Sequence, residues 1–230
     1  MGRPTLLVFA KPPRIGLSKT RLAAGIGPAA ARRIAGFTQT RTFRAATQSG
    51  CDTVIYAAPD STLRAVTTTV WPAHLPRRSQ GEGTLTERLE KGLKEAPPGP
   101  VLFIGTDAPD VSAALLRQAV RLLARHDAVF GPAEDGGFWL FGINKSARTP
   151  SPFRNVRWSG PHAMQDVWSN LPADANIGLL PMLMDIDRLA SVCDSGTKVI
   201  VIGHVNDVLL YRQLLQRGVS EYLVMPIGVS

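Results

Sequence analysis

The chain has 230 residues, 44% of them hydrophobic, a formal net charge of +8 and two cysteines. This length accommodates one large α/β domain, or one domain and a fragment. No apolar run reaches the ~18 residues that cross a bilayer, and Cys51 and Cys193 share no metal-ligand spacing and suggest no disulfide framework. The basic residues are scattered, as in Arg32-Arg33 and Arg77-Arg78, without the dense runs or interleaved aromatics of a nucleic-acid binder, so nucleic acid is set aside as a partner. The amino-terminal Met1-Gly2-Arg3-Pro4 leads straight into a strand-length run, without a signal-peptide pattern, which gives the expectation of a cytoplasmic protein with no membrane insertion.

In chain order, Thr5–Ala10 reads as a buried strand. It runs out into F-A-K-P-P-R-I-G-L-S-K-T-R-L, where Lys11, Gly16, Lys19 and Arg21 gather before a helix. Such a loop suits a polyphosphate, because cations and free backbone N–H groups converge and Gly16 lets the chain come close. Lys19 and Arg21 as solvated cations at a helix start would sit at the unfavourable end of the dipole, which favours an anion nearby. Pro28 suits a first helical turn and puts Ala30, Ile34 and Phe37 on one face. Further strands are expected at Thr53–Ala58, Val101–Gly105, Ala128–Gly131, Phe138–Ile143 and Gly178–Leu183. Thr84 to Glu87 has the form of a capping box, and Ser112 caps a helix with the stripe Leu116, Ala119, Val120 and Leu123. Pro97-Pro98-Gly99-Pro100 reads as a tight connector, and Ser146–Pro152 as a flexible excursion over the site. Apolar strands alternating with helices imply a mostly parallel, Rossmann-like three-layer α/β sheet.

In open α/β sheets ligands bind beyond the carboxyl ends of the strands. Lys11, Asp107, Glu134-Asp135-Gly136-Gly137, Asp185 and Asp187 each follow a strand closely, so cations and carboxylates would line one edge, where a divalent metal would bridge carboxylate and diphosphate. Plainer readings stand beside these. Asp107 can form an Asx-turn before Pro109, and Asp135-Gly136-Gly137 can be an ordinary turn or can admit a sugar or base against its two glycines. Asp185 and Asp187 can cap a following helix. Trp139 reads as core, Trp158 as a stacking surface for a sugar or base, and His162 as part of a helix start rather than a general base.

These segments, with Gln80-Gly81-Glu82-Gly83, Glu87-Arg88, I-G-T-D-A-P-D, G-P-A-E-D-G-G-F-W-L-F-G, Val156-Arg157-Trp158-Ser159 and L-P-M-L-M-D-I-D, resemble a bacterial family of GT-A-type glycosyltransferases over roughly residues 4 to 187. Some members of that family are linked to arsenosugar biosynthesis. The resemblance implies a nucleotide-diphospho-sugar transferase fold in a domain at 1–187, with a nucleotide-sugar as substrate and a small-molecule acceptor. It implies that the segment from Lys11 to Arg21, with Gly16, Lys19 and Thr20, holds the nucleotide phosphates. Asp107 takes the place of the metal-binding acidic motif and Asp187 that of a second carboxylate, for Mg²⁺ or Mn²⁺. Glu134 to Gly137 faces the acceptor or sugar, with Asp135 orienting the acceptor or acting as base. Thr106-Asp107-Ala108-Pro109 departs from the pattern by having one Asp where many such enzymes have two acidic residues. The loop also resembles that of guanylyltransferases acting on 2-phospholactate, which leaves nucleotidyl transfer to a small phosphorylated acceptor as the runner-up.

Residues 188–230 break from this family. The run C-D-S-G-T-K-V-I-V-I-G-H-V-N-D-V-L-L-Y-R-Q-L-L-Q-R-G-V-S-E-Y-L-V-M-P resembles the latter part of the receiver-like domain of Flp/Tad pilus-assembly localisation proteins. It reads as β-α-β, with strands at Lys198–Gly203 and Glu221–Met225 and a helix capped by Asn206. A unit of this size is not expected to stand alone. It either docks, by self-association into a homo-oligomer or onto the main sheet, or it is an out-of-context fusion. A non-catalytic pilus-localisation protein is the alternative of a different class.

Overall fold

The computed structural model describes residues 3–63, 70–184, 200–203 and 221–224. The chain divides into two compact units, Met1–Ala190 and Ser191–Ser230. In the first, β1 (Thr5–Ala10), α1 (Thr20–Ile26), α2 (Pro28–Thr47), β2 (Asp52–Ala57), β3 (Arg77–Ser79), α3 (Leu85–Glu95) and β4 (Gly99–Ile104) follow in order. Then come α4 (Ala113–Leu123), β5 (Ala128–Pro132), β6 (Phe138–Lys145), α5 (Ala163–Ser169) and β7 (Ile177–Leu179). In the second, β8 (Ile200–Gly203) pairs in parallel with β9 (Glu221–Val224), Ile200 opposite Glu221. The helix expected at Asn206 lies outside the described residues.

Seven strands of the first unit form one sheet in the order β3-β2-β1-β4-β6-β5-β7. All pairs are parallel except those of β6, which runs against both β4 and β5. Strand order reverses between β1 and β4, whose registers match Leu6 to Leu102 and Val8 to Ile104. That reversal is the switch point at which open α/β sheets leave a crevice beyond the strand ends.

Side-chain alternation along the strands sorts the core into two layers. Leu6, Val8, Ile55, Leu102, Ile104, Val129 and Leu140 pack with Phe43 and Ala46 of α2 and Leu116, Ala119 and Leu123 of α4. Leu7, Tyr56, Val101, Phe103, Phe130 and Phe141 pack on the other face with Leu89 and Leu93 of α3, Phe153, and Ala163 and Val167 of α5. Phe153 meets Phe103 and Phe141 edge-on at 5.3 and 5.6 Å between centroids. Gly92 lets α3 approach: a Cβ there would lie 2.9 Å from Phe9 Cζ and 3.3 Å from Leu7 Cδ1.

α3 forms where the sequence places it, because both its ends are satisfied. Thr84 N donates to Glu87 Oε2 at 2.6 Å, and the Thr84 hydroxyl accepts from Glu87 N at 3.4 Å. At the other end Lys145 Nζ donates to Lys94 O at 2.9 Å and to Ala96 O, and burial lowers the pKa of that ammonium. Ser112 caps α4 through Leu115 N, and Leu116, Ala119 and Leu123 are buried.

Two expectations need correction, and one strand was not foreseen. α2 turns Ala31, Ala35, Thr38, Thr42, Phe43 and Ala46 inward, while Phe37 is exposed beneath Arg41. Thr38 and Thr42 tolerate burial because their hydroxyls donate to Ala35 O and Thr38 O one turn back, so Ala30, Ile34 and Phe37 do not mark the inner stripe. β3, made of Arg77, Arg78 and Ser79, carries no apolar signal and is held by backbone pairing to Ile55–Ala57. The run expected as a strand at Gly178–Leu183 is regular only through Leu179; Pro181 lacks an N–H, and a lone bridge joins Ala133 to Leu183.

Candidate functional site

The carboxyl ends of β1 and β4 open into a cavity of about 570 Å³. Buried amides fix the segment leaving β1. Gln39 Nε2 donates to Lys11 O at 2.7 Å, with Gln39 Oε1 held by Trp71 Nε1 at 2.7 Å. Gln80 Nε2 donates to Ala10 O at 3.2 Å and to Tyr56 O at 2.8 Å. The loop then turns through Gly16 at φ +80°, a conformation that suits glycine. It enters α1 through Lys19, itself left-handed at φ 55°, ψ 41° and making no side-chain cap bond. Ser18 Oγ on the cavity wall is buried without a hydrogen-bond partner among the described residues.

Lys19 Nζ lies 2.7 Å from Asp107 Oδ1. The Lys19 side chain is 4% exposed and that of Asp107 48%. The counter-charge demanded by a cation at a helix start is thus supplied from within the protein, by the turn after β4. α2 braces that turn, since Arg41 Nε donates to Pro109 O at 2.6 Å. The β5–β6 hairpin reaches the same rim. There Asp135 Oδ1 accepts from Gly137 N at 2.9 Å, and its other oxygen takes no hydrogen bond among the described residues.

Of the residues singled out in the sequence, Lys11, Lys19, Thr20, Asp107, Asp135, Gly137 and Trp158 line this one cavity. Gly16 shapes the loop without lining it. Gly136, expected against a sugar or base, also does not line it. At φ +84° its Cβ position would fall 2.3 Å from Pro161 O, so backbone, not ligand, fills the space a side chain would take. Arg21 lies in α1, and nothing is described of its side chain; Asp185 and Asp187 lie outside the described residues. Trp158 is half-buried, meets Phe138 edge-on at 6.2 Å and donates from Nε1 to Thr86 Oγ1 at 2.8 Å. Trp139 is 6% exposed, as a core residue should be, and its Nε1 reaches Pro181 O at 3.0 Å. His162 is exposed and starts α5.

The 146–152 segment is not over the site. It follows Lys145, which pairs with Gly99 at the opposite, amino-terminal end of β4, because β6 is antiparallel. Gln39, Gln80 and Arg88 also line the cavity, yet sequence reasoning assigned them no role. Gln80 and Arg88 stand inside segments that carried the family resemblance, which was the available signal.

The described residues include no group of three His, Cys, Asp or Glu side chains that would hold a metal ion. They offer Asp107, already paired with an ammonium. Mg²⁺ takes one or two carboxylates together with substrate phosphates, so Asp107 fits an ion that arrives with a diphosphate. Among the described residues no helix is long and apolar enough to cross a membrane.

Comparison with solved structures gives the fold. A protein of Desulfovibrio desulfuricans G20, provisionally named a nucleotide-diphospho-sugar transferase, matches with a TM-score of 0.71 at 26% identity, over 81% of this chain and 83% of that one. The manganese complex of Rv0371c from Mycobacterium tuberculosis H37Rv matches at 0.48 and 16%, over 93% and 98%. The 4-diphosphocytidyl-2C-methyl-D-erythritol synthase of Anaerococcus prevotii DSM 20548 matches at 0.48 and 10%, over 78% and 88%. Comparison with curated proteins gave no match. The receiver-like resemblance of residues 189–230 finds no support among these comparisons. The seven-stranded sheet has the nucleotide-diphospho-sugar transferase fold. Residues 41–160 match the model of DUF2064, described as an uncharacterized protein conserved in bacteria, and the chain belongs to that family.

Proposed function

We propose that this chain is a transferase that takes a nucleotide-diphospho-sugar as donor and passes the sugar to a small-molecule acceptor. The observation that carries the reading is the meeting of Lys19 and Asp107 at the β1–β4 switch point, on the wall of a cavity that Lys11, Asp135 and Trp158 also line. In this reading Lys11, Lys19 and Thr20 bind the diphosphate, with Arg21 beside them in sequence. Lys19 exchanges its carboxylate partner for a phosphate oxygen. Trp158 offers a ring face to the sugar or base.

The reaction asks for little beyond positioning and charge. An acceptor hydroxyl attacks the anomeric carbon, the bond from that carbon to the diphosphate oxygen breaks, and the electron pair leaves with the diphosphate. Asp135, whose second oxygen takes no hydrogen bond among the described residues, takes the acceptor proton. Lys11 and Lys19 stabilise the charge that grows on the leaving oxygen. Mg²⁺ or Mn²⁺ arriving with the donor would be held by Asp107, with Asp187 as the second carboxylate of the family pattern, and would neutralise the same charge.

One observation favours the second chemistry, nucleotidyl transfer. Among the described residues the wall carries three cations, Lys11, Lys19 and Arg88, against two carboxylates, Asp107 and Asp135, an excess that suits a triphosphate. A thermal-shift screen of nucleoside diphosphates, nucleotide-sugars and nucleoside triphosphates, with and without Mg²⁺, tests both. Stabilisation by diphosphates and nucleotide-sugars supports sugar transfer. Stabilisation by GTP alone moves the assignment to nucleotidyl transfer. Silence toward all of them overturns the transferase and leaves the tail-driven interaction protein standing.

A further inference from the structure

Arg88 is half-buried in the first turn of α3 and lines the cavity, and the sugar-transfer scheme makes no use of it. Among the described residues its guanidinium is aimed by neutral groups. Nε donates to Gly83 O at 3.1 Å and Nη1 to Gln80 Oε1 at 3.4 Å. Gln80 is 5% exposed, and its amide nitrogen is spent on Ala10 O and Tyr56 O, so the group that orients Arg88 is bolted to the ends of β1 and β2. No carboxylate pairs with Arg88 among the described residues. Glu87 is engaged by Thr84, Glu90 by Ser151 at 2.6 Å, and Asp107 by Lys19.

A guanidinium has five N–H donors in a rigid fork, and two of these are used among the described residues. The charge also sits at the end of a helix where cations are disfavoured. A fixed, half-buried guanidinium with donors to spare on a cavity wall is suited to a two-pronged oxyanion. Trp158 shares the wall, tied by its Nε1 to Thr86, two residues before Arg88. Lys19 and Asp107 come instead from the β1 loop and the turn after β4.

We propose that Arg88 binds an anionic group of the acceptor, a phosphate or a carboxylate, so that the second substrate is a small oxyanion-bearing molecule; this rests on the transferase reading above. The test uses the full chain, wild type, Arg88→Gln and Arg88→Lys, with melting temperatures confirming that each folds. Calorimetry first measures a nucleoside diphosphate. It then titrates inorganic phosphate, and separately acetate, into the nucleotide-loaded protein; the two arms distinguish phosphate from carboxylate. The expected result is nucleotide affinity unchanged in Arg88→Gln, with the anion that binds wild type weakened about tenfold or more, the range of a lost hydrogen bond to a charged group. Arg88→Lys, which keeps the charge and loses the fork, falls between.

The proposal is overturned if neither anion binds loaded wild type, or if wild type and Arg88→Gln bind it equally. It is also overturned if Arg88→Gln weakens the nucleotide as much as Lys19→Ala does, because Arg88 would then serve the donor phosphates. Failure of wild type to bind any nucleotide is a failure of the transferase reading instead. In that case phosphate titrated into the unloaded proteins still decides whether Arg88 is an anion site, equal binding by wild type and Arg88→Gln overturning it.

Discussion

The two sides of the cavity are built on different terms. On the α3 side, a capping box closes the start of the helix and Lys145 meets the carbonyls at its end. Its inner face packs on an aromatic cluster of Phe103, Phe141 and Phe153. On the β1–α1 side, the helix opens through a left-handed lysine without a cap bond, and a buried serine hydroxyl has no partner among the described residues. Contacts made in folding fix the first wall. The second holds polar groups in arrangements that folding alone does not favour, the pattern expected where a ligand completes the structure. Substitutions at the caps and inner face of α3 should therefore register in stability without touching the nucleotide, and those on the β1–α1 side in nucleotide binding.

The largest effect expected is at Phe153, which is fully buried. Phe153→Ala should cost about 3–5 kcal/mol in denaturant unfolding; a loss below about 1 kcal/mol would show that this wall is not the rigid one. On the other side, Asp107→Asn should stay folded but melt below wild type, because it leaves the 4%-exposed Lys19 ammonium facing a neutral amide. It should abolish whatever gain in nucleoside-diphosphate affinity Mg²⁺ gives wild type. Titrations in Mg²⁺ and in chelator measure this, and an undiminished gain would remove Asp107 from metal binding. Thr84→Ala should cost about 1 kcal/mol, the usual value of a lost helix cap, with nucleotide affinity unchanged; a binding defect would blur the division between the walls.

How much of this was legible in the sequence follows from how local each signal is. β1, α3, α4 and their caps could be read because apolar runs and capping residues act within a few positions. The reversed direction of β6 was not readable, because a buried antiparallel strand carries the same apolar run as a parallel one. That reversal is what moved the 146–152 segment to the far end of the sheet. The inner face of α2 was missed because small residues and threonines with satisfied hydroxyls were buried in place of Phe37. Lys19 and Asp107, which line one cavity, stood out in the sequence on different grounds, Lys19 among the cations gathered before α1 and Asp107 directly after β4. Gln80 and Arg88 were missed because their roles depend on contacts between distant segments, Gln80 with Ala10 and Tyr56, Arg88 with Gln80. Gly136 looked like a place for a ligand because the sequence does not reveal that Pro161 comes up against it.

The smallest effect is an acid one, also on the α3 side. Asp166 accepts from the Arg157 guanidinium at 2.7 and 2.9 Å and from the Arg157 backbone N–H at 2.9 Å. The guanidinium first, then the backbone bond, lower its pKa from 3.8 to about 2. A carboxylate depressed in the folded state contributes stability above its unfolded pKa and loses it as pH falls through the folded one. Asp166→Asn should therefore lower stability slightly at neutral pH and flatten its decline between about pH 4 and about pH 2. Melting curves across that window measure it, and an unchanged slope would show that the pair does not persist in solution.

The division between the walls, and with it the transferase reading, is tested most directly by calorimetric titration of a nucleoside diphosphate into wild type and Lys19→Ala, with melting temperatures measured on both. The expected result is binding by wild type that weakens about tenfold or more in the variant, in keeping with a lost charge-assisted contact, with little change in melting. Equal affinities in the two proteins would contradict the account, since the buried ammonium beside Asp107 would then have no part in holding phosphate.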